Sequence, residues 1–349
     1  MYYTILIFVL ILFLYIHITA QWKTSDDLEI YEADYKSPAQ MQEICSVKQP
    51  VLFKIEDPEA TRVFDRMQVA KMEKYDNIDV HVKDVADYYS VSDDPAVDFV
   101  SLPLRSAHTL LSSDSKSKYF SEMNDVFIEE SGLDSVVQSL DGFLKPGLTA
   151  YRKYDLVFGS PHASTPLRYH IMSQQFLSVT SGKIRVKMCP PKYRKVLPLI
   201  KDYENYEFRT PINAFDPGAK TSKSSREIFD KVKFLDFEVH AGSTLFIPPY
   251  WWYAIQFSGD VNTSIIMCTY DQVMNVLAQS NHWLMYFLQQ ANITTRVSNL
   301  KTEMFQGKDV DEDDEYIDKE LDDIDTEELV TKNQPKEIVT NAGTYVTSG

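Results

Sequence analysis

His240-Ala241-Gly242-Ser243-Thr244-Leu245-Phe246-Ile247-Pro248-Pro249-Tyr250-Trp251-Trp252-Tyr253 is the stretch on which the reading of this chain turns. Ala241-Gly242-Ser243 is turn chemistry between two strand-like runs, Phe234 to Val239 and Thr244 to Ile247. Pro248-Pro249 ends the second run, because proline donates nothing to a ladder. Trp252 to Phe257 and Ser264 to Tyr270 then form a last pair of strands around Ser258-Gly259-Asp260, and Phe176 to Met188 reads as one strand closing at Pro190-Pro191. Short strands at regular spacing with turn signals between Asp155 and Tyr270 predict a sandwich or jelly roll.

Outward from this block the pattern becomes helical. Val273 to Gln290 has helical periodicity with Trp283, Leu284, Tyr286 and Phe287, and the stretch from Trp283 to Leu288 is far too short to span a bilayer. Upstream, Pro50 to Ile55 reads as a short strand, Pro58 to Tyr75 as a helix, and Asn77 to Val85 as an alternating strand. Short helical pieces are expected at Met123 to Ile128 and Leu133 to Leu140. The expected fold class is therefore mainly β with flanking helices (α+β).

The chain has 349 residues, 44% hydrophobic and 25% charged, which excludes a wholly disordered or collagen-like polypeptide. With 21 Tyr, 19 Phe and 4 Trp against 11 Gly, a well-filled interior is expected. The net charge of −16 is local: residues 309–328 carry thirteen Asp and Glu and one Lys, a net of −12, which leaves −4 for the rest. No basic stripe points to nucleic acid. Cys45, Cys189 and Cys268 are too few and too scattered for a disulfide framework or a cysteine-rich zinc site.

Tyr2 to Ala20 contains no charge, and nineteen residues make about 28 Å of helix, enough to cross a hydrocarbon core. The apolar run exceeds the usual hydrophobic core of a signal peptide and no Lys or Arg precedes it, which favours a signal anchor. The rival reading is a cleaved signal peptide ending at Ala20, which would make the protein secreted or luminal. Orientation rests on Lys23 alone. The expected organisation is a transmembrane signal anchor at 1–20, a polar tether at 21–40, one folded body at 41–300 and an acidic disordered tail at 301–349.

Three stretches resemble the cupin-like branch of the JmjC oxygenases. Phe158-Gly159-Ser160-Pro161-His162-Ala163-Ser164-Thr165-Pro166-Leu167-Arg168-Tyr169-His170 is similar to that family's G-x-x-x-S-T-P-L-H-x-D. Ser181-Gly182-Lys183-Ile184-Arg185 with Pro190-Pro191 resembles its G-x-K-R … P-P, and the opening stretch resembles its x-P-G-D-x-L-F-I-P-x-x-W-W-H. Tyr119 to Asn124 is similar to the segment that precedes the barrel. The resemblance covers roughly Met41 to Tyr270 and implies a double-stranded β-helix (cupin or jelly roll).

Active relatives hold Fe(II) with a His-x-Asp pair and a distant His, and use 2-oxoglutarate to hydroxylate or demethylate protein side chains. The resemblance carries those three ligand positions onto Arg168, His170 and Tyr253. Arginine has no lone pair to give a metal, and a tyrosine of ordinary pKa about 10 is a poor ligand at neutral pH. No metal ligand and no catalytic residue is therefore expected. His162 and His240, the nearby alternatives, have no carboxylate two residues on. The relatives' 2-oxoglutarate positions fall on Thr165 and on either Lys183 or Ile184, and one residue of register moves the side chain to the other face of the strand. Thr165 and Lys183 are carried as remnant cosubstrate positions. Arg168, His170 and Tyr253 should share one space, with Arg168 meeting either an internal carboxylate or a small carboxylate ligand.

The resulting expectation is a membrane-anchored, non-catalytic cupin-like module for binding or assembly, with no cofactor. The alternative is an Fe(II)/2-oxoglutarate-dependent protein hydroxylase with an atypical ligand set, and a third reading is a structural or envelope protein. Partners are the membrane, through residues 2–20, and a basic protein held by the acidic tail; no nucleic acid is expected.

Overall fold

The computed structural model describes residues 2–90, 95–216, 227–259 and 262–306. Of the tail expected at 301–349, the part from 307 onward, including the acidic run, lies outside the described residues, while 301–306 belong to the last described helix, Ser280–Gln306. The chain divides into a unit of Met1–Asn292 and a second of Ile293–Gly349. Among the described residues α1 (Tyr2–Gln21) is the one helix long and apolar enough to cross a membrane, and none of its residues is buried in the body.

The chain then alternates short elements: β1 (Tyr31–Asp34), α2 (Pro38–Ser46), β2 (Val51–Lys54), α3 (Pro58–Arg66), β3 (Asp79–Asp84), β4 (Val100–Pro103), α4 (Leu104–Ser113) and β5 (Tyr119–Ser121). The small helices α5 (Asp125–Glu130), α6 (Asp134–Val137) and α7 (Asp141–Leu144) lead to the long strand β6 (Thr149–Gly159). Nine further strands follow: β7 (Arg168–Tyr169), β8 (Gln174–Ser181), β9 (Lys183–Cys189), β10 (Ile200–Asp202), β11 (Glu207–Arg209), β12 (Leu235–His240), β13 (Ser243–Ile247), β14 (Trp252–Phe257) and β15 (Ser264–Gln272). Two helices close the described chain, α8 (Val273–Ala278) and α9 (Ser280–Gln306).

The strands form two sheets. A nine-stranded sheet runs β1-β2-β13-β8-β15-β6-β5-β3-β4, and a six-stranded sheet runs β10-β11-β7-β14-β9-β12. All pairings are antiparallel except β1 with β2. Successive side chains on a strand face opposite ways, and this assigns each residue to a layer. On β15, Ile265 and Met267 enter the core between the sheets, while Ile266 and Cys268 pack under the outer helices. On β14, Tyr253, Ile255 and Phe257 point inward, and Trp252 and Ala254 point to a third cluster outside the smaller sheet. The fold is therefore mainly β with helices packed outside, as the strand pattern predicts.

Several local expectations need correction. Phe176 to Met188 is two strands in different sheets. Gly182, at a φ of 70°, turns the chain from β8 to β9, and a Cβ there would run into Thr263. Trp252–Phe257 and Ser264–Tyr270 do not pair with each other; β14 and β15 lie in opposite sheets. The helix expected to run to Tyr75 stops at Arg66 and continues as two single turns, Val69–Lys71 and Glu73–Tyr75. Met67, Val69 and Met72 are all buried, and a 3.6-residue period cannot put these three on one face. Within the segment expected to be a tether, Tyr31–Asp34 pairs in parallel with Val51–Lys54. The helix expected over Val273–Gln290 breaks at Gln279.

Candidate functional site

β7 is only two residues long, but it sits centrally in the smaller sheet, with Arg168 opposite Tyr253 of β14 on one side and Arg209 of β11 on the other. Arg168, His170 and Tyr253 all line one cavity of about 480 Å³, together with Glu122, Glu207 and Trp283. The three residues expected to share a space do so.

Arg168 is 6% exposed and is engaged by two carboxylates. Its Nη1 and Nη2 donate to Glu122 Oε1 and Oε2 at 2.9 and 2.5 Å, a two-pronged pairing, and Nη1 also donates to Glu207 Oε1 at 2.8 Å. Glu122 further accepts from Lys83 Nζ at 3.2 Å and from the Tyr88 hydroxyl at 3.1 Å. Glu207 lies 3.6 Å from Arg209, which is 3.4 Å from Asp202. Lys83, Arg168 and Arg209 thus face Glu122, Glu207 and Asp202: three cations, three anions, all buried. Burial alone would raise the Glu122 carboxyl, but Arg168 and Lys83 hold it well below the usual range. Burial would likewise lower Arg168, and Glu122 keeps it firmly protonated.

The loop after β5 aims Glu122. Met123 adopts a left-handed φ of 62°, and the Met123 and Asn124 amides donate to the Asp155 carboxylate at 2.9 and 2.7 Å. Burial pushes Asp155, on β6, up to about 6, although Lys153 and these two amides act to lower it. Tyr253 is raised by burial, with Arg168 opposing. His170 Nε2 lies 2.8 Å from the Ile247 carbonyl, so this nitrogen carries the proton and Nδ1 holds the lone pair; Nδ1 has no hydrogen-bond partner among the described residues. Desolvation pushes His170 down to about 4, so the ring is neutral at pH 7.

Thr165 and Lys183, which the resemblance carries as cosubstrate positions, lie elsewhere. Lys183 is on the outer face of β9 and pairs with Glu238 at 3.0 Å, while Ile184 is fully buried in the core between the sheets. The Thr165 hydroxyl accepts from the Ile255 amide at 2.9 Å, and the Thr165 amide donates to the Ile255 carbonyl at 2.8 Å. Both therefore serve the scaffold, and neither lines the cavity. His162 and His240 are exposed and also outside it. Among the described residues no group of three or more His, Cys, Asp or Glu is placed to hold a metal ion. A ferrous ion needs a converging set of imidazole and carboxylate donors with open positions. A guanidinium paired with two carboxylates beside one half-buried imidazole does not fit it.

Sequence reasoning assigned no role to Glu122, Glu207, Lys83 or Arg209. Glu122 was quoted within the Tyr119–Asn124 segment, and a buried Arg168 demands a carboxylate, but which carboxylate depends on the loop geometry at Met123. The model of the cupin-like domain family matches residues 20–275. No curated protein matches the chain.

Proposed function

Because the chain belongs to the cupin-like domain family, we propose that it is a membrane-anchored cupin-like module that works by binding or assembly and not by oxidative catalysis. One observation carries this reading: the buried pairing of Arg168 with Glu122 and Glu207 at the end of the barrel where the family's chemistry is expected. With its cation ion-paired to both carboxylates, that end supplies neither an iron ligand set nor an unpaired arginine for a ketoacid. The partner expected for Arg168 is thus internal. α1 provides the anchor, and the acidic run at 309–328 recruits a basic protein partner.

Calorimetry of the detergent-solubilised full chain with Mn(II) or Fe(II), then with 2-oxoglutarate, tests the non-catalytic half. No stoichiometric metal binding tighter than about 10 micromolar, roughly 7 kcal/mol, is expected; its appearance would return the protein to the hydroxylases. Extraction tests the anchor: release of the full chain from membranes by carbonate or high salt would refute it. For the tail, retention of a basic protein should be lost when residues 309–328 are removed.

A further inference from the structure

We infer that the outer face of α8 and α9 lies in the surface layer of the membrane crossed by α1, a second lipid contact that rests on the anchored reading above. From Val273 to Thr295 there is no Asp, Glu, Lys or Arg. On α8, Val273 and Leu277 are one turn apart and exposed. On α9, Leu284, Met285, Phe287 and Leu288 are exposed too, and all six side chains lie between 41 and 59% accessible. At about 100° per residue the four on α9 fall within an arc of about 160°. The opposite side of the same helix faces the body. Trp283 and Tyr286 line the cavity, and His282 Nδ1 is 2.9 Å from the Tyr203 hydroxyl.

The occupant of this apolar face follows from its neighbour. α1 packs against α8. The positions of α1 that the body partly covers are Leu14, Ile18, Thr19 and Gln21, on its last two turns. Leu14 to Gln21 rises about 10 Å, comparable with the roughly 5–10 Å to which interfacial helices sink. Lys48 fixes this end of α1 to the body, donating to the carbonyls of Ala20 and Gln21 at 3.0 and 2.8 Å. Trp22, 54% exposed, follows immediately, and tryptophan favours the boundary between lipid and water. When α1 spans the bilayer, α8 is carried into the boundary layer with its apolar side chains outward. The uncharged stretch from Val273 to Thr295 suits that layer, since none of its side chains has to bring a formal charge out of water.

The test places single-cysteine bimane labels in the full chain, reconstituted in phosphatidylcholine vesicles containing shallow doxyl lipid. Cys45, Cys189 and Cys268 are buried and do not compete for label. Labels at Leu277→Cys and Leu288→Cys should be quenched by doxyl lipid at least twofold more than one at Glu59→Cys, and be shielded from aqueous iodide. Using both helices guards against one variant failing to fold. If Leu10→Cys in α1 is quenched by lipid while 277 and 288 respond to iodide like Glu59→Cys, these helices face water and the inference falls. Shielding from both quenchers would also overturn it, in favour of a second copy or of the chain beyond residue 292. A Leu10 label untouched by lipid would overturn the anchored reading, and this inference with it.

Discussion

Replacing Glu122 by glutamine preserves shape and removes one negative charge from a site that is 2% exposed. The glutamate accepts from Lys83, Tyr88 and both terminal nitrogens of Arg168. An amide offers one acceptor and brings its own N–H donors against a guanidinium or an ammonium. The six-charge network goes from balanced to a net of +1 at positions that are all buried. Removing one partner of a buried pair costs about 3–5 kcal/mol, because the other charge is left uncompensated. At about 2–4 °C per kcal/mol for a body of this size, Tm should fall by roughly 6–20 °C. The assay is thermal unfolding of the solubilised full chain at pH 7, followed by near-ultraviolet dichroism. The double variant Glu122→Gln/Arg168→Met restores two cations against two anions and should recover at least about 1 kcal/mol relative to the sum of the singles. A cost below about 1 kcal/mol for Glu122→Gln, or strict additivity in the double variant, would refute the idea that this network is dry and mutually dependent.

Lys183→Ala should change stability by no more than about 0.5 kcal/mol, since Lys183 and Glu238 form an exposed pair; a larger loss in urea titration would mean that Lys183 does something other than decorate the outer sheet. Gly182→Ala and Gly242→Ala both place an alanine at positive φ, which costs about 1–2 kcal/mol. Only the Gly182 substitution also strikes Thr263, whereas Gly242 has open space, so Gly182→Ala should have the lower urea midpoint, and equal midpoints would contradict the close packing of that turn. His170 titrates near 4 in the folded state against an ordinary 6.5, so it contributes stability above pH 6.5 that is lost as the pH falls from 6.5 through 4. Asp155 and Asp271, both raised to about 6 by burial, act in the opposite sense over a similar range. The difference in Tm between wild type and His170→Phe isolates the histidine and should shrink between pH 6.5 and 4; a flat difference would mean that the ring is not desolvated.

The layers were legible in the sequence because alternation along β14 and β15 survives in the side chains themselves: inward Tyr253, Ile255 and Met267 against outward Trp252 and Cys268. Where both faces of a strand are covered, alternation disappears. Phe176 to Val179 is buried throughout, so the hairpin at Gly182 and the change of sheet left no periodic trace. The first half of β6, Thr149 to Tyr154, mixes Arg152 and Lys153 with tyrosines and gave no strand signal, although it pairs along β15. At the site, the convergence of Arg168, His170 and Tyr253 could be anticipated from motif order. Glu207 lies thirty-nine residues from Arg168 in sequence and reaches it only because β11 pairs with β7. Local spacing carries no record of such a contact.

The balance of three buried cations and three buried anions also constrains how this chain can change over generations. Any single substitution that alters charge at Lys83, Glu122, Arg168, Asp202, Glu207 or Arg209 strands a neighbour, so acceptable changes at these positions come in compensating pairs. Placing a histidine at position 168 is a case in point: Glu122 would keep Lys83 but lose its two-pronged partner, and Glu207 would keep only Arg209 at 3.6 Å. A route from this network to a metal-binding site therefore crosses a destabilised intermediate, whichever residue moves first. The network acts as a ratchet on descent, and sequences descended from this one should vary at the six positions together or not at all.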